Sequence, residues 1–207
     1  MEKLNNQAGP LSNFLNSFKA AIIDYKDLLQ AILLDEALLI NIEDAFELVS
    51  STLLSGSKLI LAGNGGSAAE ASHIAAEYVV RFKNNRIPLP AINLCGDTST
   101  LTAISNDFGF EHIFSRQIKA YAQAGDLVVL YTTSGTSKNI LNAIHESQKL
   151  NLNCLVFTSI GCDLQSTSSR LVIKVPSSDV AEIQQIHNLI GHLICSSVEQ
   201  FFASNQS

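Results

Sequence analysis

The chain has 207 residues, 46% of them hydrophobic and 15% charged, and its formal net charge is −6. This composition excludes a disordered chain, and without a Lys/Arg cluster there is no basic face for nucleic acid to bind. The length predicts one domain with a sizeable core, and the few charges predict apolar surface that is buried between subunits.

The first 56 residues have the periodicity of helices. Apolar residues recur at helical spacing from Leu11 to Leu54. Asp35-Glu36 marks the expected break between two helices, and Gly56 stands in the position that glycine usually takes after a helix. One apolar stripe consists of Phe14, Leu15, Phe18 and Ile22. We interpret residues 1–56 as a helical segment that packs on the following domain and in an oligomer interface.

Residues 57–207 alternate between strand-like and helix-like segments. The predicted strands are Lys58–Ala62, Ala91–Cys95, Leu127–Tyr131, Cys154–Thr158 and Leu171–Val175. The predicted helices are Ala68–Phe82, Glu111–Ala122, Ser137–Leu150, a short piece after Gly161, and a final helix over Val180–Phe202. Apolar strands separated by helices predict an α/β fold in which a five-stranded parallel sheet is covered on both faces.

Two junctions between a predicted strand and a predicted helix are rich in glycine and hydroxyl groups. They are Gly63–Ser67 (GNGGS) and Thr132–Ser137 (TTSGTS). A helix N-terminus has unpaired N–H groups and a partial positive charge, and both favour anions. The two junctions also follow the carboxyl ends of strands, where ligands bind in parallel sheets. We interpret the pair as a site for a phosphorylated, hydroxyl-rich small molecule, although each junction alone also suits an ordinary turn or N-cap.

His73 and Glu77 lie four residues apart in the helix after the first junction, so they share one face of that helix. An imidazole and a carboxylate suit general acid–base catalysis or two ligands of a zinc site. The same spacing also occurs as a weak polar contact on exposed helices. His187 and His192 lie in the apolar final helix, where a histidine is more often a core or interface residue than a catalyst.

The sequence offers further polar residues as candidates for contact with a ligand. Asn106-Asp107 lies between the second predicted strand and the next predicted helix, in a loop that we expect to reach a bound sugar. Arg81 and Arg86 suit a phosphate, but arginine near a helix end also makes a favourable contact with the helix dipole.

The sequence also indicates the compartment. The four cysteines contain no C-x-x-C pair, and three of them, Cys95, Cys154 and Cys195, are predicted to be buried free thiols. Residues 1–10 are polar and do not resemble a secretory signal. No apolar run is long enough to span a bilayer. We therefore expect a cytoplasmic protein without a membrane partner.

Taken together and in order, the motifs resemble those of the phosphoheptose isomerases, a family of enzymes with a sugar isomerase (SIS) domain. The resemblance extends from about Leu59 to Glu199, and the N-terminal helices also fit it. The residues that carry it are Gly63–Ser67, His73, Glu77, Ser105–Phe110, Phe114–Arg116, Thr132–Gly135, Ile183-Gln184 and His192. No single motif decides the resemblance, but the combined order and spacing are specific.

The resemblance implies a flavodoxin-like three-layer fold, a SIS domain over residues 57–207, a homotetramer and active sites built between subunits. It also implies an aldose–ketose isomerase that interconverts sedoheptulose 7-phosphate and D-glycero-D-manno-heptose 7-phosphate through an enediolate. That reaction is the first step toward ADP- or GDP-heptose precursors. Whether the heptose enters lipopolysaccharide, capsule or another glycan is left open.

The resemblance further implies a role for each matching residue. Glu77 would move the proton between C1 and C2, and His192 would be the acid–base partner for the oxygens. One Zn²⁺ would be held by His73, Glu77, Gln184 and His192. The substrate site would consist of Asn64, Gly65, Gly66, Ser67, Arg81, Asn106, Asp107, Thr132, Thr133, Ser134, Ser137 and Gln184. The loop over residues 132–137 would hold the phosphate. Base and zinc ligand remain alternative roles for Glu77, because a tightly bound carboxylate is less free to accept a proton.

The phosphate loop begins with Thr132 where Ser is frequent in the family, a change that preserves the hydroxyl. Two further features fit the family pattern less well. Ala181 stands where some members have Asp, so any role of that carboxylate is absent or passes to the next residue. In an ideal helix, Gln185 or Asn188 lies closer than Gln184 to the face of His192. The family pattern nevertheless assigns Gln184 to the site. This assignment agrees with the helix geometry if Gln184 and His192 serve the sites of different subunits.

Two other interpretations stay open beside the heptose isomerase. One is a non-enzymatic relative with this fold, such as a replication-initiation factor that binds an initiator protein. Such relatives lose the glycine at Gly66 and the terminal histidine, whereas this chain keeps both Gly66 and His192. The other is an isomerase of another sugar phosphate, or a sugar-phosphate-sensing regulator, which normally adds a DNA-binding domain.

Overall fold

Two long helices, α1 (Pro10–Leu34) and α2 (Glu36–Leu54), precede the sheet. The structure, a computed structural model, describes residues 10–204, so the polar stretch before Pro10 lies outside the described residues. Asp35 caps α2 by accepting a hydrogen bond of 2.9 Å from the backbone N–H of Leu38. This cap confirms the predicted break between the two helices.

The rest of the described chain alternates strands and helices. The strands are β1 (Leu59–Gly63), β2 (Ala91–Asn93), β3 (Leu127–Tyr131), β4 (Asn153–Ser159) and β5 (Arg170–Val175). The helices are α3 (Gly66–Val79), α4 (Thr98–Phe108), α5 (Ile113–Tyr121), α6 (Lys138–Lys149) and α7 (Val180–Ser204), with a 3₁₀ turn at Phe110–His112 before α5. All five predicted strands are present.

The five strands are parallel and lie in the order β2-β1-β3-β4-β5. This is the order of the flavodoxin-like folds. The strand order reverses between β1 and β3: β2 is added on one side of β1, and β3, β4 and β5 are added on the other. The observed topology confirms the predicted α/β fold.

Alternating side chains of the strands build two cores, one on each face of the sheet. Leu61 and Val129 belong to the core under α2, α3 and α7. Ala62 and Val128 belong to the core under α5 and α6. Burial on both faces explains why β1 and β3 are uninterrupted apolar runs. The result is the predicted three-layer arrangement, with helices above and below one sheet.

Two sequence predictions were wrong. Residues after Gly161 form a turn and an isolated bridge between Thr167 and Arg170, not a short helix. Conversely, α4 was not predicted, because its sequence contains few large apolar residues and several threonines, which favour helices weakly. Its start is fixed by Asp97, whose carboxylate accepts hydrogen bonds from the N–H groups of Ser99 and Thr100.

The cysteines are free thiols. Cys154 and Cys195 are buried as predicted, Cys162 is also buried, and Cys95 is half-buried. Burial raises the pKa of Cys154 to about 12, so this thiol stays protonated at neutral pH.

No part of residues 10–204 covers the apolar stripe of α1. Phe14, Phe18 and Ile22 each keep more than half of their surface exposed. None of the helices in residues 10–204 has the length and apolar character needed to cross a membrane.

Candidate active site

The two glycine- and hydroxyl-rich junctions lie side by side at one edge of the sheet. The first follows β1 and the second follows β3, which pair directly from Leu59↔Leu127 to Gly63↔Tyr131. In open parallel sheets, ligands bind outside the carboxyl ends of the strands at the point where the strand order reverses. The topology therefore places both junctions at the expected ligand site.

A pair of amides ties the first junction to the helix that follows the second. Asn64 donates from Nδ2 to Oδ1 of Asn139 at 2.9 Å, and Asn139 donates back to Asn64 at 2.8 Å. Asn139 is buried in the first turn of α6. Both amides are therefore held in one orientation, which fixes the junction after β1 relative to α6.

The junctions enclose a polar cavity. The residues that line it are Asn64, Ser67, Tyr131, Thr132, Thr133, Ser134, Ser137 and Gln184. Seven of these eight were predicted to bind the substrate, and none of the eight carries a charge. Ser137 is the N-cap of α6 but makes no side-chain capping hydrogen bond. Hydroxyl groups and a helix N-terminus can hold an anion through hydrogen bonds without a basic side chain.

Three titratable side chains from α3 and α7 form a cluster beside this cavity. His73 Nε2 and His192 Nε2 are 2.8 Å apart, and His73 Nε2 is 3.7 Å from Glu77 Oε1. One ligand atom from each of the three residues lies within 4.8 Å of the others. His73 is half exposed and the other two are partly buried, so the cluster is open to a ligand.

The ring of His192 packs between other rings. Phe82 stacks on it with centroids 5.0 Å apart and planes 10° apart, and the ring of His73 meets it edge-on. Desolvation and the nearby His73 and Lys83 lower the pKa of His192, while Glu77 acts in the opposite direction. The lowered pKa keeps this imidazole neutral near pH 7, as a metal ligand or a proton acceptor requires.

A second cavity lies against His73 and His192 of the cluster, but is not lined by Glu77, and it shares Gln184 with the first cavity. Its lining consists of Gly66, Ala69, Glu70, His73, Gln184, Gln185, Asn188 and His192. Gln184 thus lies between the hydroxyl-lined cavity and the histidines. Its amide packs so tightly on Gly66 that a Cβ at that position would overlap it. A glycine at position 66 is required for this close approach, while Gly65 only precedes the helix as its N-cap.

The donor set of the cluster fits a zinc ion. Two imidazole nitrogens and a carboxylate oxygen are ligands that Zn²⁺ prefers, and catalytic zinc sites use three protein ligands with a further open position. His73, Glu77 and His192 provide these donors from two packed helices. Gln184, which was predicted as the fourth ligand, lines the cavity beside His73 and His192, and its side chain carries an amide oxygen.

Four predicted substrate residues do not line these cavities within one chain: Gly65, which is the N-cap of α3, and Arg81, Asn106 and Asp107. Arg81 is exposed after the C-terminal end of α3, roughly 20 Å from the start of that helix at 1.5 Å per residue. Asn106 and Asp107 lie in the last turn of α4, not in the predicted loop, and both are exposed. Asn106 donates a hydrogen bond of 2.8 Å to the Asp107 carboxylate.

The sequence interpretation missed Glu70, a buried residue that lines the second cavity and lies beside His187. His187 is fully buried, as expected for a core histidine, and its Nε2 lies 3.2 Å from the carbonyl oxygen of Thr158. Its Nδ1 lies 3.5 Å from Oε1 of buried Glu70. Glu70 is three residues before His73 on the same helix, and that spacing is the signal that could have identified it.

Comparison with known proteins matches this architecture. The SIS domain model matches residues 24–159. The phosphoheptose isomerase of Campylobacter concisus is 47% identical over 165 residues, which cover 80% of this chain and 87% of that protein. The phosphoheptose isomerase of Burkholderia pseudomallei is 41% identical over 90% of this chain and 94% of its own length. The chain belongs to the phosphoheptose isomerase family of SIS-domain proteins.

A solved structure of the same family extends the likeness to the whole fold. The phosphoheptose isomerase from Francisella tularensis superposes with a TM-score of 0.81 at 35% identity, covering 91% of this chain and 97% of that one. The coverage includes most of the elements that form the two cavities. Family membership therefore rests on sequence and on fold together.

Proposed function

We propose that the protein interconverts sedoheptulose 7-phosphate and D-glycero-D-manno-heptose 7-phosphate, the first step toward nucleotide-activated heptose. The observation that carries the proposal is the cluster of His73, Glu77 and His192 beside a hydroxyl-lined cavity. The names of relatives that are 41–47% identical support heptose phosphate as the substrate class. The retained Gly66 and His192 favour an enzyme over a binding protein with the same fold.

The reaction moves one proton between neighbouring carbons. In the ketose-to-aldose direction, Glu77 takes a proton from C1 of sedoheptulose 7-phosphate, which leaves an enediolate, and returns a proton to C2. His192, neutral at the outset, accepts the proton from the oxygen at C1 and gives it to the oxygen at C2, so the charges balance. A positioned base and a positioned acid each contribute about 10²–10⁴ in rate. The open side of the cluster leaves room for the reacting carbons.

The phosphate is proposed to occupy the hydroxyl-lined cavity. The loop over residues 132–137 and the N-terminus of α6 supply uncharged donors for its oxygens. Gln184 lies between the two cavities and is proposed to bind the middle of the sugar. Arg81, Asn106 and Asp107 lie outside these cavities, so we propose that they complete the site of a neighbouring subunit.

We further propose one Zn²⁺ per site, held by His73, Glu77, Gln184 and His192. When bound, such an ion supplies a Lewis acid that stabilises negative charge on the substrate oxygens. Glu77 then stands either as a ligand or as the base, because both roles use the same carboxylate. The residues of the chain are close enough to offer three donor atoms to one ion.

Assembly is proposed to be a homotetramer in the cytoplasm. Exposure of the apolar stripe of α1 to water is unfavourable, and we propose that a second copy of the chain covers it. We therefore assign residues 1–56 to packing and the oligomer interface and residues 57–207 to the SIS domain. Free thiols favour a reducing compartment.

A panel of sugar phosphates tests the proposal. The zinc-loaded protein is incubated with sedoheptulose 7-phosphate, fructose 6-phosphate or ribulose 5-phosphate, and the products are followed by NMR. We expect an aldose phosphate from the heptulose alone. Conversion of a different ketose would assign another substrate, and binding without conversion of any would indicate a sensor or another non-enzymatic protein.

A further inference from the structure

A buried carboxylate far along α7 holds the loop that follows α3. Glu199 has 1% of its side chain exposed. It accepts backbone hydrogen bonds from Phe82 at 2.9 Å, from Lys83 at 2.7 Å and from Asn84 at 2.7 Å. Three consecutive N–H groups on one carboxylate fix both the position and the direction of this loop.

An arginine completes the arrangement from the other side. Arg86 Nε lies 3.7 Å from Glu199 Oε1, and both side chains are almost fully buried. Its guanidinium donates to the carbonyl of Tyr78 at 2.7 Å and to the carbonyl of Glu77 at 2.6 Å. These carbonyls belong to the last turn of α3, where a cation is favourable. Arg86 therefore fixes the backbone of Glu77 itself.

The same loop supports His192. Because Glu199 binds the N–H of Phe82, the ring of Phe82 is held in its stacked position on His192. One buried ion pair thus contacts the backbone of Glu77 through Arg86 and the ring of His192 through Phe82. These two residues are the proposed base and its acid–base partner.

Stability alone is a weak reason for such a pair. Burying two charges costs desolvation free energy that an apolar pair of similar volume avoids. Desolvation acts to raise the pKa of Glu199, but the three N–H groups and Arg86 outweigh it, so the pKa is lowered and the carboxylate stays charged. The contacts indicate that the ion pair serves to orient the neighbouring groups.

We propose that Glu199, acting with Arg86, is a positioning residue that sets the relative orientation of Glu77 and His192. The inference rests on the proposed function for its catalytic consequence, but the orientation itself is independent of the substrate. Glu199 reaches the site only through the loop at residues 82–84 and through Arg86.

The test compares Glu199→Gln with Glu146→Gln, a matched substitution of a partly buried carboxylate that pairs with exposed Lys149. Labelled histidine rings are followed by NMR, and the His192 signal is assigned with His192→Gln. In Glu199→Gln we expect the ring-current shift from Phe82 on His192 to be lost and the amides of residues 82–84 to lose slow hydrogen exchange. Zinc affinity and kcat should each fall about 10- to 100-fold, as for other groups that orient metal ligands, with a smaller change in KM. Glu146→Gln should match the wild type.

The proposal would be overturned by a folded Glu199→Gln protein in which the His192 signal keeps its wild-type position and the amides of residues 82–84 still exchange slowly. If Glu199→Gln does not fold, Phe82→Leu decides, because it keeps the ion pair and removes the stacked ring. Wild-type zinc affinity and kcat in Phe82→Leu would then overturn it, and a loss of either would support it. If the wild type isomerises nothing, the proposed function fails, whereas the ring shift and hydrogen exchange still test the positioning.

Discussion

His73 and His192 place their Nε2 atoms 2.8 Å apart although 119 residues separate them in the chain. The contact forms because α3 and α7 pack on the same face of the sheet. Gly191, beside His192, permits the close approach, since an added Cβ would lie 2.8 Å from the Ile74 Cδ1 atom of α3. The proposed chemistry depends on this helix pair more than on any single loop.

Replacing Glu77 by Gln should abolish turnover. The amide keeps the shape of the side chain but cannot accept a proton, so kcat should fall by about 10²–10⁴. Steady-state kinetics by NMR measures this, and Glu146→Gln serves as the control, because Glu146 is a similarly buried helix carboxylate outside both cavities. A Glu77→Gln protein that retains wild-type turnover would remove Glu77 as the base.

Chelation of metal should reduce activity, and Zn²⁺ should restore it. His73→Gln removes one donor of the cluster and should weaken zinc binding, which competition with a chromophoric chelator measures. His145→Gln is the control, since His145 is exposed on α6 outside both cavities. Full activity in a verified metal-free preparation would exclude an essential metal.

Gly66→Ala should damage the site without unfolding the helix. Gly66 is the first residue of α3, so alanine does not interrupt the helix, but the added Cβ overlaps the Gln184 amide and displaces it. A misplacement of this kind costs on the order of 10² in kcat/KM. Gly161→Ala is the control, because its nearest atom is 3.9 Å away. Equal kcat/KM for both variants would remove Gln184 from the site.

Charged groups on the apolar stripe of α1 should prevent assembly. Phe14→Asp with Phe18→Asp places two carboxylates where we propose a subunit interface, and burying them there is unfavourable. Sedimentation should show a tetramer for the wild type and for Ser17→Asp, a control on the same helix, but smaller species for the double variant. A tetramer that survives both substitutions would assign the interface elsewhere.

The sequence predicted most of the fold because its strands are buried on both faces. β3 was predicted with both ends correct, since Leu127–Tyr131 is an unbroken apolar run. α4 was missed because its residues are largely polar and exposed. The structure shows that Asp97 caps the start of this helix, a feature that hydrophobic periodicity does not contain.

The site was predictable only where its residues are close in the chain. The spacing of His73 and Glu77 gives their shared face directly. Contacts between distant elements, such as Asn64 with Asn139, depend on which strands become neighbours, and local spacing does not contain that information. For His192 the family resemblance supplied what the residues alone did not.

Turnover of sedoheptulose 7-phosphate tests the central claim most directly. The zinc-loaded wild type and His192→Gln are followed side by side by NMR, with circular dichroism to verify that both are folded. We predict conversion to the aldoheptose phosphate by the wild type and its loss in His192→Gln. Absence of conversion by the wild type, with and without added Zn²⁺, would contradict the account.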